Sequence, residues 1–176
     1  MIFEIKAWSP EHYRQQTRRI TLTITLGFVA LAMASSILAV RLFGEPAGDN
    51  FRWNLGGVLV ALALTLLLVR VKLWPHPWMA PAVYGWRLKR SLMRVTNVMH
   101  QVTAGVEAGD PSAMKLLRFY HLGLTQMHQL DANSSALSQA VREIDQHRER
   151  MDTLGLETDQ PRLDPAWLEA VKTRFG

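Results

Sequence analysis

The chain has 176 residues, 48% of them hydrophobic and 20% charged, which excludes intrinsic disorder and fits one modest domain or a smaller domain with a membrane anchor. The absence of cysteine excludes a disulfide scaffold, a Cys-ligated zinc or iron–sulfur site and thiol catalysis. A formal charge of +5 raises nucleic acid as a partner, so what matters is where along the chain that charge sits.

Residues 1–19 are polar, with four basic side chains against two acidic ones. Residues 20–40 then carry no charge over 21 positions, where about 20 suffice to cross a hydrocarbon core of ~30 Å. This predicts a first transmembrane helix. A cleaved leader is the competing reading, since Ala30-Leu31-Ala32 and Ala32-Met33-Ala34 fit a small-x-small cleavage pattern. Against it, the apolar run continues through Val40 and the polar lead containing Trp8 and Pro10 is long. Residues 41–52 form a short loop with two basic and two acidic groups. A second uncharged run of 17 residues, 53–69, extends to a span of 53–73 if Arg70 and Lys72 snorkel, with Trp53, Trp74 and Trp78 as interfacial anchors. Neither run has the polar stripe of a helix buried in a soluble core. Ala30 with Ala34 and Gly57 with Ala61 are small-xxx-small pairs that can seat one span on the other. No ionisable residue lies within 20–40 or 53–69, which argues against a channel or transporter.

Residues 70–106 contain six basic groups and no acid, whereas the remainder holds eight basic and eleven acidic groups. Basic residues therefore flank the two runs on the outer sides and thin out between them, which predicts both termini in the cytoplasm and the 41–52 loop outside. The high isoelectric point is then a membrane signature, and no nucleic-acid partner is expected.

Trp74-Pro75-His76-Pro77-Trp78 breaks the second helix, because proline removes a donor and disfavours helical geometry before it. A cytoplasmic domain, 74–176, is expected to hold three to four helices. The first, about 81–106, carries Leu88, Leu92, Val95, Met99, Val102 and Val106 at the 4-3-4-3-4 spacing of a coiled-coil or bundle seam. Asp110-Pro111 opens the second, with Ala113, Leu116, Leu117, Tyr120, Leu124 and Met127 apolar, and its expected partner is the first. The third begins near Asn133-Ser134-Ser135 and presents Leu137, Val141, Ile144 and Met151 opposite a dense charged face. Residues 154–163 read as a loop, and Asp164-Pro165 opens a last helix with Trp167, Leu168 and Val171. Burying six apolar side chains from one helix face is worth up to roughly 1.5–3 kcal/mol each, so something must cover the seam. Part of it is open to a second copy of the chain or to another protein.

Chemistry-bearing patterns are sparse. Of the six histidines only His121 and His128 share a helix face, seven apart where metal pairs sit three or four apart, and a hairpin would set them opposite Arg94 and Arg87. There is no Gly-rich phosphate loop, serine elbow or HExxH, and Glu143 and Asp145 diverge on their helix. No catalytic residue, metal ligand or cofactor is therefore expected. The candidate functional residues are a lipid-facing basic collar, Arg70, Lys72, Arg87, Lys89, Arg90 and Arg94, and a partner-binding face around Trp86, Phe119, Tyr120 and Trp167.

The run Tyr84-Gly85-Trp86-Arg87-Leu88-Lys89-Arg90-Ser91-Leu92, the run Leu117-Arg118-Phe119-Tyr120-His121-Leu122-Gly123-Leu124, and Gly48-Asp49-Asn50-Phe51-Arg52-Trp53-Asn54 together resemble a family of small proteobacterial inner-membrane proteins classed as a domain of unknown function. The resemblance covers most of the chain. It implies a bacterial inner membrane and a two-span anchor, and it brings no catalytic residues. The expectation is an all-α protein with a two-helix transmembrane hairpin and a cytoplasmic helical domain. Its expected role is that of a non-enzymatic accessory, scaffold or adaptor, with membrane lipids and a protein partner or a second copy as its contacts. The alternative is a membrane-bound enzyme or a metal- or haem-binding protein using His121 and Tyr120.

Overall fold

Charge-free apolar runs and the caps that flank them set the element order. The computed structural model describes residues 2–176; the side chains of Ser134, Ala136, Leu137 and Gln139, and with them the expected apolar position Leu137, lie outside the described residues. The α-helices are α1 (Pro10–Phe43), α2 (Phe51–Leu68), α3 (Ala80–Thr96), α4 (Met99–Glu107), α5 (Pro111–Leu130), α6 (Ser134–Thr153) and α7 (Pro165–Phe175). Two short strands, β1 (Phe3–Glu4) and β2 (Arg162–Leu163), pair antiparallel. The architecture is thus all-α, as expected. The chain divides into two compact units, Gln15–Val83 and Met1–Arg14 with Tyr84–Gly176.

Two helical stretches, Pro10–Phe43 and Phe51–Leu73, are long and apolar enough to cross a membrane, and all but the first residues of the former lie in the unit Gln15–Val83. The loop between them is built by Asn50, whose Oδ1 accepts from the Glu45 amide and whose Nδ2 donates to Glu45 O, both at 3.0 Å. Asp49 Oδ1 accepts from the Phe51 amide at 2.9 Å, and Phe43 stacks on Trp53 at 5.1 Å, which turns α2 back along α1. Gly57 and Ala61 mediate the close approach as the spacing predicts. A Cβ on Gly57 would stand 2.6 Å from the Ser36 backbone, and Ala61 is fully buried. The mating surface on α1 is different from the expected one. Ala30 and Ala34 are exposed, and the face turned inward carries Leu31, Ala32, Ser35, Ser36 and Ala39, with Ser36 Oγ donating to Asn54 O at 3.0 Å. Small residues fall on more than one face of this run, and the serines can satisfy a backbone carbonyl where alanines cannot.

At its end α2 widens into one π-turn, Val69–Leu73, closed by the Trp74 amide on Val69 O at 2.8 Å. Pro75 and Pro77 then stop the helix as predicted, and His76 Nδ1 accepts from the Trp78 amide. Residues 74–83 pack with the ends of the long helices: Met79 and Val83 bury against Ile20, with Ile24, Leu73 and Trp78 around them.

The other unit is the helical bundle. The single helix expected over 81–106 is two, because the chain turns at Asn97–Val98 between α3 and α4. Thr96, Asn97 and Val98 are all weak helix formers, and the turn carries Val98 into the core beside Val95 and Val102. Asp110 caps α5 as predicted, accepting from the Ser112 and Ala113 amides at 2.9 and 3.0 Å, and Asp164 caps α7. Burial works to raise the Asp110 carboxyl, but those amides and the Arg174 guanidinium outweigh it and hold the pKa below the usual range. Gly109, at φ +73°, ends α4 in the left-handed conformation, with the Asp110 amide reaching back to Gly105 O at 2.9 Å.

Residues 2–6 are part of this bundle. Phe3 and Glu4 pair with Leu163 and Arg162, and the Ile5 amide donates to Pro161 O at 2.8 Å, so residues 154–163 are only partly loop. The Lys6 amide donates to Tyr84 Oη at 3.0 Å, the Tyr84 hydroxyl donates to Gln126 Oε1, and Gln126 Nε2 donates to Lys6 O. The main core joins Val95, Val102, Leu116, Phe119, Leu163, Leu168 and Val171, and a second cluster joins Tyr13, Tyr84, Leu88, Leu92 and Leu130.

Candidate functional site

The apolar seam is spent inside the chain. Leu88, Leu92, Val95 and Val102 are buried, with α5 and α7 packed on α4 and the bare Cα of Gly123 admitting Leu92 and Leu88, so this stripe offers no free coiled-coil surface. What α3 leaves outside is its other face: Trp86, Arg87, Lys89, Arg90, Met93 and Arg94, all exposed. Their spacing of three and four makes one stripe along the helix. Arg90 lies over the Trp86 ring at 5.0 Å, and Lys89 pairs with Asp131 at 3.3 Å across solvent-exposed side chains, a contact worth little in water. Arg70 and Lys72 are exposed in the other unit, Arg70 over the Trp74 ring at 5.8 Å. All six collar residues are therefore accessible.

The expected partner face does not hold together. Phe119 is fully buried in the main core, edge-on to Phe3 at 6.4 Å, because the α5 stripe that contains it faces α4 and α7. Tyr120 is half-buried against both core clusters, and Trp167 is half-buried with Lys115 Nζ 5.9 Å above its ring. Trp86 alone is well exposed. On α6, Val141 is exposed, while Ile144, His147 and Met151 form the stripe that meets α5.

That stripe creates a polar cluster the histidine spacing did not reveal. His121 on α5 meets His147 on α6 edge-on at 5.2 Å, with both side chains and Arg118 buried. His147 Nε2 lies 3.0 Å from Met114 O and so carries the proton, and Arg118 Nε donates to Thr158 O at 2.8 Å. His121 Nδ1 and Arg118 Nη1 are buried without a hydrogen-bond partner. Burial, then the His147 ring, then Arg118 push the His121 pKa down to about 4. Burial also lowers His147, opposed by its bond to Met114 O. Glu143 Oε1 stands 3.8 Å from His121 Nε2, but a neutral imidazole makes no ion pair, and an exposed carboxylate at that distance makes no hydrogen bond. Among the described residues no set of three His, Cys, Asp or Glu groups gathers to hold a metal ion. The signal for this cluster was His147 at the third position after Ile144 and the fourth before Met151, on a helix whose apolar stripe is otherwise thin.

The arrangement provides an exposed cationic helix face carrying one tryptophan, two long uncovered apolar helices, and a buried neutral histidine pair. No curated protein and no solved structure matches the chain. A family model covers residues 3–168, nearly the whole chain, and by that match the chain belongs to the family described as protein of unknown function DUF3087.

Proposed function

We propose that the chain is a bacterial inner-membrane protein with two spans and both termini in the cytoplasm, whose helical bundle serves as a non-enzymatic accessory, scaffold or adaptor unit. The observation that carries this reading is the bareness of the long helices. In their most apolar 18-residue windows the buried share is 0% for Pro10–Phe43 and 11% for Phe51–Leu73, an amount of apolar surface that water does not tolerate and lipid does. The excess of basic residues before α1 and after α2 supports the orientation, and the exposed Trp86-to-Arg94 face of α3 supports a bundle held against anionic headgroups. The accessory role is tested by purifying the tagged full-length chain from its own membranes in mild detergent, with mass photometry and mass spectrometry of what stays bound. A stoichiometric foreign subunit supports it; a chain that is always alone rejects it in favour of self-association or an activity of its own.

The buried His121–His147 pair favours a second reading, a membrane-bound enzyme or a metal- or haem-binding protein, and an absorption spectrum and metal analysis of the same sample separate the two.

The α3 face makes its own prediction. Because the chain has no cysteine, Met93→Cys gives a single attachment point for an environment-sensitive dye on an exposed position of that face. Its emission is expected to shift to the blue in nanodiscs containing phosphatidylglycerol but not in purely zwitterionic ones. Reversal of Arg87, Lys89 and Arg90 to glutamate is expected to abolish the shift, at ~1 kcal/mol of surface attraction per basic residue. Identical spectra in both kinds of disc would reject a lipid contact for this face.

A further inference from the structure

Between α1 and the end of α2 the unit Gln15–Val83 opens a groove of about 820 Å3. Gly27 and Phe28 line one side, Leu64 and Leu68 the other, and Lys72 and Trp78 stand at its end. The helices touch at Gly57 and Ser36 and stand apart along the groove. The π-turn Val69–Leu73 forms part of the wall, and such turns are rare and frequent at functional sites. Gly27 is the floor position: a Cβ there would meet no atom within 4 Å.

We propose that this groove is a specific site for one anionic phospholipid, an acyl chain lying along Gly27 and Leu68 and the phosphate on Lys72 with Trp78 at headgroup level. The proposal rests on the two-span reading above. The volume is that of a site for a small amphiphile, about 300–1,000 Å3. Charge decides which occupant fits. Lys72 is the one charged residue among the groove's lining and makes no ion pair among the described residues. A second copy of the chain would bring helices with no acid anywhere in residues 12–44 or 50–106 to answer it. A phospholipid supplies both the chain and the negative charge. A tail gains little by moving from bilayer to groove, since both are apolar, so the groove sets the position and Lys72 the headgroup preference. One lysine at a lipid surface corresponds to about a fivefold preference.

The test is native mass spectrometry of the full-length chain in detergent, offered equal amounts of phosphatidylglycerol and phosphatidylcholine with the same acyl chains. The wild type is expected to retain one phosphatidylglycerol per chain about fivefold over phosphatidylcholine. Lys72→Gln brings the two to parity, Lys72→Arg restores the preference, and Gly27→Leu, which fills open space rather than displacing backbone, loses both lipids. Parity in the wild type, or full retention by Gly27→Leu with unchanged helicity, overturns the site. Release of the wild type from membranes by carbonate washing overturns the spans themselves, which is a different failure.

Discussion

Phe119→Ala is expected to cost the bundle about 3–5 kcal/mol, the loss typical of a fully buried aromatic truncated to a methyl group. Domains are held by only ~5–15 kcal/mol in total, so the variant sits near the edge of folding. The ring is fully buried in the main core, edge-on to Phe3 and in one cluster with Val95, Leu116, Leu163 and Leu168. Its removal leaves a cavity in a core shared by α3, α4, α5, α7 and the β1–β2 pair, which cannot all close in together. Thermal unfolding followed by circular dichroism checks this, with Trp86→Ala as the contrast: Trp86 is 47% exposed, and its loss should barely move the midpoint. A Phe119→Ala midpoint equal to that of Trp86→Ala would return Phe119 to the surface and revive it as a partner contact. Any weakened retention of a bound subunit by Phe119→Ala must be judged against this unfolding cost.

The two long apolar helices, the Trp-Pro-His-Pro-Trp break and the two Asp-Pro helix starts are legible because each is a local signal: a run without charge, a missing donor, a side chain reaching amides two and three residues ahead. What escaped depends on residues far apart in sequence. Phe3 and Glu4 are too short a strand to be read without Arg162 and Leu163, which lie some 160 positions away. The 4-3 seam of 88–106 is a true apolar stripe, yet periodicity cannot distinguish one helix from two that turn at Asn97–Val98 while keeping the stripe facing inward. Phe119 shows the same limit. An aromatic beside Tyr120 reads equally well as core or as contact face until the position of α7 is known.

The runs that carry the family resemblance contain places where a side chain packs directly onto a bare glycine backbone. Gly85 lies directly against the Tyr13 hydroxyl, and a Cβ on Gly123 would stand 2.8 Å from Leu92 Cδ2. Asn50 and Asp49 close the loop between the long helices. These residue types are needed for close approach and turn chemistry whatever the protein binds, so they report the fold. Functional specificity is then to be sought where side chains are exposed against the packing logic: the Trp86 to Arg94 face, and the groove ending at Lys72.

The buried histidines make acid the second strong perturbation. With its pKa near 4 in the folded chain and about 6.5 when unfolded, His121 binds protons in the unfolded state first. Stability is therefore complete above about pH 6.5, falls as the pH drops through the interval from 6.5 to 4, and levels off below it, a loss of about 3 kcal/mol in all. His147 is shifted in the same direction and adds to the loss. The surroundings give a new charge little relief. Arg118 on α5 stays cationic and buried and opposes a charge on either ring, and Arg150 on α6 opposes one on His147. Glu143 faces the two rings but at 77% exposure is heavily screened, and Asp145, Asp152 and Asp159 act on Arg118. The unfolding midpoint of the full-length chain should thus drop steeply between pH 6.5 and 4.5. In His121→Leu it should drop much less, because the substitution removes both the titrating ring and the orphaned Nδ1 while filling the same space between α5 and α6. A wild type as stable at pH 4.5 as at pH 7 would mean that the cluster is reached by water, and that His121 and His147 are free to titrate like surface groups.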